Sequence, residues 1–180
     1  MNDEPAPAEV QRKAPRGRRW WIDIAVIVAA FFAVHAFVTR GVVRGPLPPL
    51  EATLADGTAT TVAQWQQMRG GDAFLLYVWA SWCAICKTVE GSIDAVAGDA
   101  PVLTVAMQSG DGAQVGRFLA GRGLQWPTVV DADARLSRQL GVGAVPTLIF
   151  VDRAGRVRAV TQGYTSEIGI RLRLWWARRR

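Results

Sequence analysis

The chain has 180 residues, half of them hydrophobic, and a formal charge of +6; that is enough for one domain plus an accessory segment, not comfortably for two domains. Its basic residues crowd the ends (Arg12, Lys13, Arg16, Arg18 and Arg19; Arg178, Arg179 and Arg180) while residues 46–170 are nearly balanced, which argues against a nucleic-acid surface. With two cysteines and one histidine, His35, the chain can hold neither a disulfide scaffold nor a four-ligand zinc site.

The first predicted element is the apolar run "WWIDIAVIVAAFFAVHAFV", residues 20–38. As a helix it would extend about 28 Å, the thickness of a bilayer core. Five basic residues precede it and only Arg40 and Arg44 closely follow, so the charge bias puts residues 1–19 in the cytoplasm and everything after Val38 outside. Asp23 and His35 sit near the two ends of the run, within reach of the headgroups; an intramembrane relay is the alternative. A cleaved signal peptide competes with an uncleaved anchor, but the run is long and Val34-His35-Ala36 is a poor cleavage site. Arg18-Arg19 alone is weak support for twin-arginine export. Residues 39–49, "RGVVRGPLPP" with the threonine before it, read as a semi-stiff proline spacer.

Residues 50–180 then alternate strands and helices. Asp56-Gly57 marks a hairpin turn, and Thr61 with Gln64 caps a short helix to Met68. "AFLLYVWA" reads as a strand buried on both faces, followed by a helix from about Cys83 to Ala97. "PVLTVAMQ" is the next strand, Asp111 caps a helix to Arg122, "WPTVVD" is a strand, and a helix runs near Ala132 to Leu140. "GAVPTLIFVD", a turn at Asp152-Gly155, a strand at 157–161 and a helix from about Ser166 close the chain. In that last helix Ile168, Leu172, Trp175 and Trp176 recur at helical spacing and read as a core-facing stripe. The order implies an α/β domain, a central mixed sheet flanked by helices. "SGDGAQVG" lacks the lysine of a phosphate loop, and Trp126 either begins a strand or is exposed for substrate.

Cys83 and Cys86, in "YVWASWCAICK", admit three readings: a redox couple, half a metal site or a structural disulfide. Position favours the first. A cysteine where a buried strand gives way to a helix sits among unpaired N–H groups that stabilise a thiolate, and Cys86 lies one turn later on the same face. Cys83 can then attack a partner's disulfide and Cys86 resolve the mixed disulfide.

"VWASWCAIC" together with "GVGAVPT" resembles the thioredoxin superfamily. The anchor plus external domain resembles its TlpA/ResA-type branch, and "GYTSEIGIRLRLWWA" resembles the membrane-anchored suppressors of copper sensitivity. The resemblance implies a thioredoxin fold over residues 50–176. It implies Cys83 as nucleophile, Cys86 as resolving thiol, Trp82 as the aromatic beside them, and Val145 with a cis Pro146 as the substrate-binding backbone; an ordinary trans proline at a strand start is the alternative. It also implies protein substrates of the cell envelope, in copper defence or cytochrome maturation, and electrons from a membrane thiol transporter. No cofactor is expected beyond the Cys83–Cys86 disulfide, and no metal.

The chain departs from the family where thioredoxins carry a buried acid: Tyr77 stands there. Glu90 is a candidate proton acceptor for Cys86, against a solvated helix-face role, and Lys87 a candidate for favouring the Cys83 thiolate. Ala84-Ile85 offers no side chain that would stabilise a thiolate, which favours a reductase or isomerase over an oxidase. The rival function is a Cu(I) carrier using the same two sulfurs.

Overall fold

Six strands form one sheet in the order β1-β8-β7-β4-β5-β6, and a separate hairpin, β2-β3, lies beyond it. The computed structural model describes residues 16–179, without the side chains of residues 16–19, 31 and 35; the basic residues of 1–15 and the side chain of His35 lie outside the described residues. The chain divides into two units, the first ending at Ala36 and the second running from Phe37 to Arg180.

Helix α1 (Arg16–Thr39) contains the stretch Trp20–Thr39, 20 residues of mean hydropathy 2.2, long and apolar enough to cross a bilayer. Its described large side chains, among them Trp20, Trp21, Ile27 and Phe32, are exposed around the helix. Trp20 and Trp21 meet edge to face at its start.

In the second unit the sheet is built around β4 (Phe74–Trp79), every residue of which is buried. β4 runs parallel to β5 (Val102–Met107), which runs parallel to β6 (Thr128–Asp131); on its other side β4 is antiparallel to β7 (Thr147–Val151), and β7 to β8 (Arg156–Gln162). Alternate residues of β4 point to opposite faces because the strand period is two. Phe74, Leu76 and Val78 join the core beneath α2 (Val62–Met68) and α5 (Arg135–Gln139). Leu75, Tyr77 and Trp79 join the core beneath α3 (Ala84–Ala97), α4 (Gly112–Gly121) and α6 (Glu167–Arg178). Both faces being covered explains why β4 and β5 read as unbroken apolar runs.

The caps fall where the residue types put them. Thr61 and Gln64 form a capping box on α2, and Asp111 and Gln114 form one on α4. The hairpin β2 (Glu51–Thr53) and β3 (Ala59–Thr61) turns at Asp56-Gly57, where Gly57 has a φ of +87°. From its end Leu54 bridges to Val129, shielding the outer edge of β6.

Three readings are corrected. Residues 39–49 are not a free spacer: Val42 is in the core, Val43 N–H donates to the Leu140 carbonyl (2.9 Å), and Gly45–Pro46 pairs with β8 as β1. Proline's missing N–H is tolerated there because β1 is an edge strand. Helix α5 starts at Arg135 instead of near Ala132, because the buried Asp131 carboxylate accepts the Leu136 and Ser137 N–H groups and the Ser137 hydroxyl, holding the preceding residues in a turn with Ala134 at φ +57°. In α6 the buried stripe is Ile170, Leu174 and Ala177, whereas Ile168, Leu172, Trp175 and Trp176 are exposed. Both sets have helical spacing, so periodicity alone does not choose the face that meets the sheet.

Candidate active site

The end of β4 delivers the chain to the two cysteines. After Trp79 the strand stops, the Ser81 N–H donates to the Ser109 hydroxyl (2.9 Å), and Cys83 takes extended backbone angles as the N-cap of α3. Capping fixes the sulfur: Cys83 Sγ accepts the Cys86 N–H at 3.1 Å, so a charge on that sulfur meets a backbone dipole and the positive end of a 14-residue helix. Cys83 and Cys86 are joined in a disulfide with their Cα atoms 5.3 Å apart, and both are buried.

Across from the disulfide lies the Val145-Pro146 peptide, which is cis. The Val145 carbonyl oxygen is 3.7 Å from Cys83 Sγ. In the disulfide that sulfur carries no proton and the approach is a contact; on reduction the thiol can donate to this oxygen. The loop is pinned from β8: Gln162 Nε2 donates to the Ala144 carbonyl (3.1 Å) and to Thr147 Oγ1 (3.2 Å), and the Gly163 N–H donates to the Pro146 carbonyl (2.9 Å). Gln162 and Gly163 lie 16 and 17 residues after Pro146, outside the "GVGAVPT" stretch, so only strand pairing makes their positioning role legible.

Trp82 is 61 % exposed beside Cys83, and its indole N–H donates to the Gln108 carbonyl (3.1 Å) at the end of β5. Gln108 is held at φ +47°, a conformation non-glycine residues seldom adopt. The structure thus anchors an exposed aromatic ring, with the exposed Ile85, at the mouth of the disulfide.

Behind Cys86 is a recess of about 10 Å³ lined by Tyr77, Trp79, Lys87, Glu90, Phe118 and Trp126 among others. Tyr77 is buried there, its hydroxyl 3.5 Å from the Cys86 carbonyl oxygen. Burial pushes its phenol well above its usual range, and the charge of Glu90 adds to the effect, so Tyr77 stays protonated and cannot be the proton acceptor. Glu90 is not on a solvated face: its side chain is 18 % exposed and its Oε2 accepts Arg122 Nε at 2.7 Å. Arg122, 32 residues away on another element, is a partner the sequence did not reveal. Lys87 is exposed on α3, and among the described contacts of the two sulfurs it takes no part. Trp126 is buried, donating to Asp94 Oδ1 (3.0 Å) and meeting the rings of Tyr77 and Trp79 edge to face, which rules out its reading as an exposed substrate contact. The indole N–H of Trp79 has no acceptor among the described residues. Among the described residues no three His, Cys, Asp or Glu side chains converge as metal ligands.

Residues 42–169 match the Redoxin family model. The chain is 30 % identical over 139 residues to a thioredoxin-like protein of Haemophilus influenzae, covering 75 % of this chain and 82 % of that one. It is 26 % identical over 163 residues to the thiol:disulfide interchange protein DsbE of Pseudomonas fluorescens biotype C, covering 84 % and 89 %. Among solved structures, a DsbF homologue from Corynebacterium diphtheriae superposes with a TM-score of 0.64 at 20 % identity, covering 74 % of this chain and 87 % of its own, a likeness of fold. The sheet order, the cysteine pair at the β4–α3 junction and the family match agree: the chain belongs to the Redoxin family, with a thioredoxin fold and a Cys83-x-x-Cys86 disulfide.

Proposed function

We propose that this thioredoxin-fold thiol:disulfide oxidoreductase is a single-pass protein of a bacterial inner membrane that reduces or isomerises disulfides of envelope proteins, of the TlpA/ResA type and nearest in kind to the suppressors of copper sensitivity. The observation that carries the chemistry is the disulfide at the helix N-terminus, 3.7 Å from the Val145 carbonyl next to Pro146. The support for the tether is the apolar helix Trp20–Thr39.

In the reduced domain the Cys83 thiolate, stabilised by the Cys86 N–H and the α3 dipole, attacks one sulfur of a substrate disulfide, and the substrate's other sulfur leaves as a thiolate. The substrate segment lies extended along Val145-Pro146, with Trp82 and Ile85 against its apolar side chains. Cys86 then gives its proton to Glu90 and attacks Cys83 Sγ, which releases the second substrate thiol and leaves the Cys83–Cys86 disulfide. Two electrons have passed to the substrate, so a membrane thiol transporter must return two to the domain. The recess behind Cys86 has room for about one water, which would bridge the resolving thiol to the carboxylate. Nothing in this sequence of steps needs a metal or an organic cofactor.

The deciding experiment is the reduction potential of Cys83/Cys86 in the full chain in detergent, equilibrated against glutathione. A value near roughly −270 mV supports a reductase, whereas one near roughly −120 mV makes the domain an oxidant and removes the argument from Ala84-Ile85.

A further inference from the structure

Behind the disulfide, β4 brings two polar side chains to one recess. Tyr77 and Trp79 are two residues apart, so the strand period puts both on the face covered by α3 and α4. Both are buried, Trp79 to 2 % exposure, and both border the recess beside Cys86 and Glu90. The indole N–H of Trp79 has no acceptor among the described residues. Its neighbours show why. The ring stacks on Phe118, with centroids 5.2 Å apart, and meets Trp126 edge to face at 6.3 Å, while Trp126 gives its own N–H to Asp94. Buried donors in folded proteins are satisfied, and where no protein group does so an ordered water does.

The recess suits such a water in size and in chemistry. Its volume of about 10 Å³ is at the lower limit for one molecule. A bound water has two lone pairs and two hydrogens, and partners for all four are at hand. The Trp79 N–H donates to its oxygen. Glu90 accepts one hydrogen: Oε2 already takes Arg122 Nε at 2.7 Å, which leaves Oε1. Tyr77 stays protonated through burial, its hydroxyl 3.5 Å from the Cys86 carbonyl oxygen, and its own oxygen can accept the second hydrogen. The remaining lone pair is free for the Cys86 thiol once the disulfide is reduced. Trp79 sets this orientation, because an N–H on one lone pair turns the water's hydrogens away from the indole and toward Glu90 and Tyr77.

We propose that Trp79 and Tyr77 hold one resident water in this recess, oriented by the Trp79 indole N–H, and that the proton of Cys86 leaves through it to Glu90. The proposal rests on the reading of Glu90 as the proton acceptor and names the residues that make the transfer work. In the step itself the Cys86 S–H proton passes to the water oxygen as a water hydrogen passes to Glu90 Oε1. The Cys86 thiolate then attacks Cys83 Sγ, the bond between Cys83 and the substrate sulfur breaks, and its electron pair leaves with the substrate thiolate. Tyr77 and Trp79 exchange no proton; they are positioning residues. Tyr77 thereby has a part that does not require it to ionise.

The test pairs a spectroscopic signature with a double-mutant cycle, both on the full chain in detergent. In the reduced protein with isotope-labelled tryptophan, the Trp79 indole proton, identified by its contact with the Phe118 ring, should show magnetic cross-relaxation with a long-lived water. The Trp126 indole proton, bonded to Asp94, should show none. The rate of mixed-disulfide resolution is then measured in Trp79→Phe, in Glu90→Gln and in the double variant. Trp79→Phe should slow resolution about tenfold, the order of one lost hydrogen bond. In the Glu90→Gln background it should add nothing, because both changes act on one transfer, whereas a packing defect slows both backgrounds alike. Equal slowing in the two backgrounds overturns the inference, as does Trp79→Phe resolving at the full rate. A Trp79 indole proton without water contact also overturns it and assigns that N–H to the face of the Trp126 ring. Should Trp79→Phe not fold, Tyr77→Phe supplies the same cycle. Glu90→Gln resolving at the full rate removes the acceptor reading itself and the relay with it, a result distinct from a slowed Glu90→Gln with additive Trp79→Phe.

Discussion

Replacing Gly141 by alanine should undock the segment that joins the apolar helix to the domain. Gly141 has a φ of +70°, and a Cβ placed on it would overlap the Gly41 carbonyl oxygen and lie 2.7 Å from the Gly41 carbonyl carbon and 3.2 Å from Val42 Cα. These are backbone atoms, so no side chain can swing aside. An alanine in the left-handed region costs about 1–2 kcal/mol. Relief of the overlap by undocking loses the burial of Val42, about 1.5–3 kcal/mol, and the Val43–Leu140 hydrogen bond, about 0.5–1.5 kcal/mol. The sum is about 3–6.5 kcal/mol, or a fall in Tm of roughly 6–26 °C for a chain of this size. Gly143→Ala is the control, since nothing lies within 4 Å of a Cβ there. The assay is urea unfolding of the full chain in detergent, followed by tryptophan fluorescence, with trypsin cleavage at Arg44 as a local readout. If G141A matches G143A within about 1 kcal/mol and Arg44 is cut no faster, residues 39–49 are a spacer after all.

Other consequences are open to direct test. Cys86→Ser should accumulate a mixed disulfide between Cys83 and a substrate, visible on non-reducing gels, and Cys83→Ser should abolish disulfide exchange; exchange by the Cys83 variant would contradict the assignment of the nucleophile. Glu90→Gln should slow resolution of the mixed disulfide by about 10²-fold at neutral pH, with the deficit shrinking as alkali deprotonates Cys86 unaided, while stability moves by less than about 1 kcal/mol because the ion pair with Arg122 is partly exposed. Identical pH–rate profiles for the two proteins would remove Glu90 from the mechanism. Asp72 carries an acid-stability effect: burial alone would raise its pKa, but the Ala73 N–H, Arg153 and Arg178 outweigh it and hold the carboxyl below its usual value. The native state therefore binds fewer protons than the unfolded chain, so this stabilisation is full above about pH 4 and lost as pH falls through the lowered value. Asp72→Asn should flatten the acid limb by up to about 1 kcal/mol, and unchanged acid unfolding would show that the contacts contribute nothing.

Much of the redox centre was legible in the residues. The unbroken apolar run of β4, the caps at Thr61 and Asp111, and the cysteines at a strand-to-helix junction are local signals, because strand burial, capping and helix dipoles act over a few consecutive residues. Tertiary structure alone decided the rest. Glu90 meets Arg122 across 32 residues, Gln162 pins the loop of Pro146 from another strand, and Val42 is buried although prolines follow it closely. The two stripes of α6 show the reason most clearly: each satisfies the helical period equally, and only the sheet that Ile170 and Leu174 touch determines which is core and which is left to meet something else.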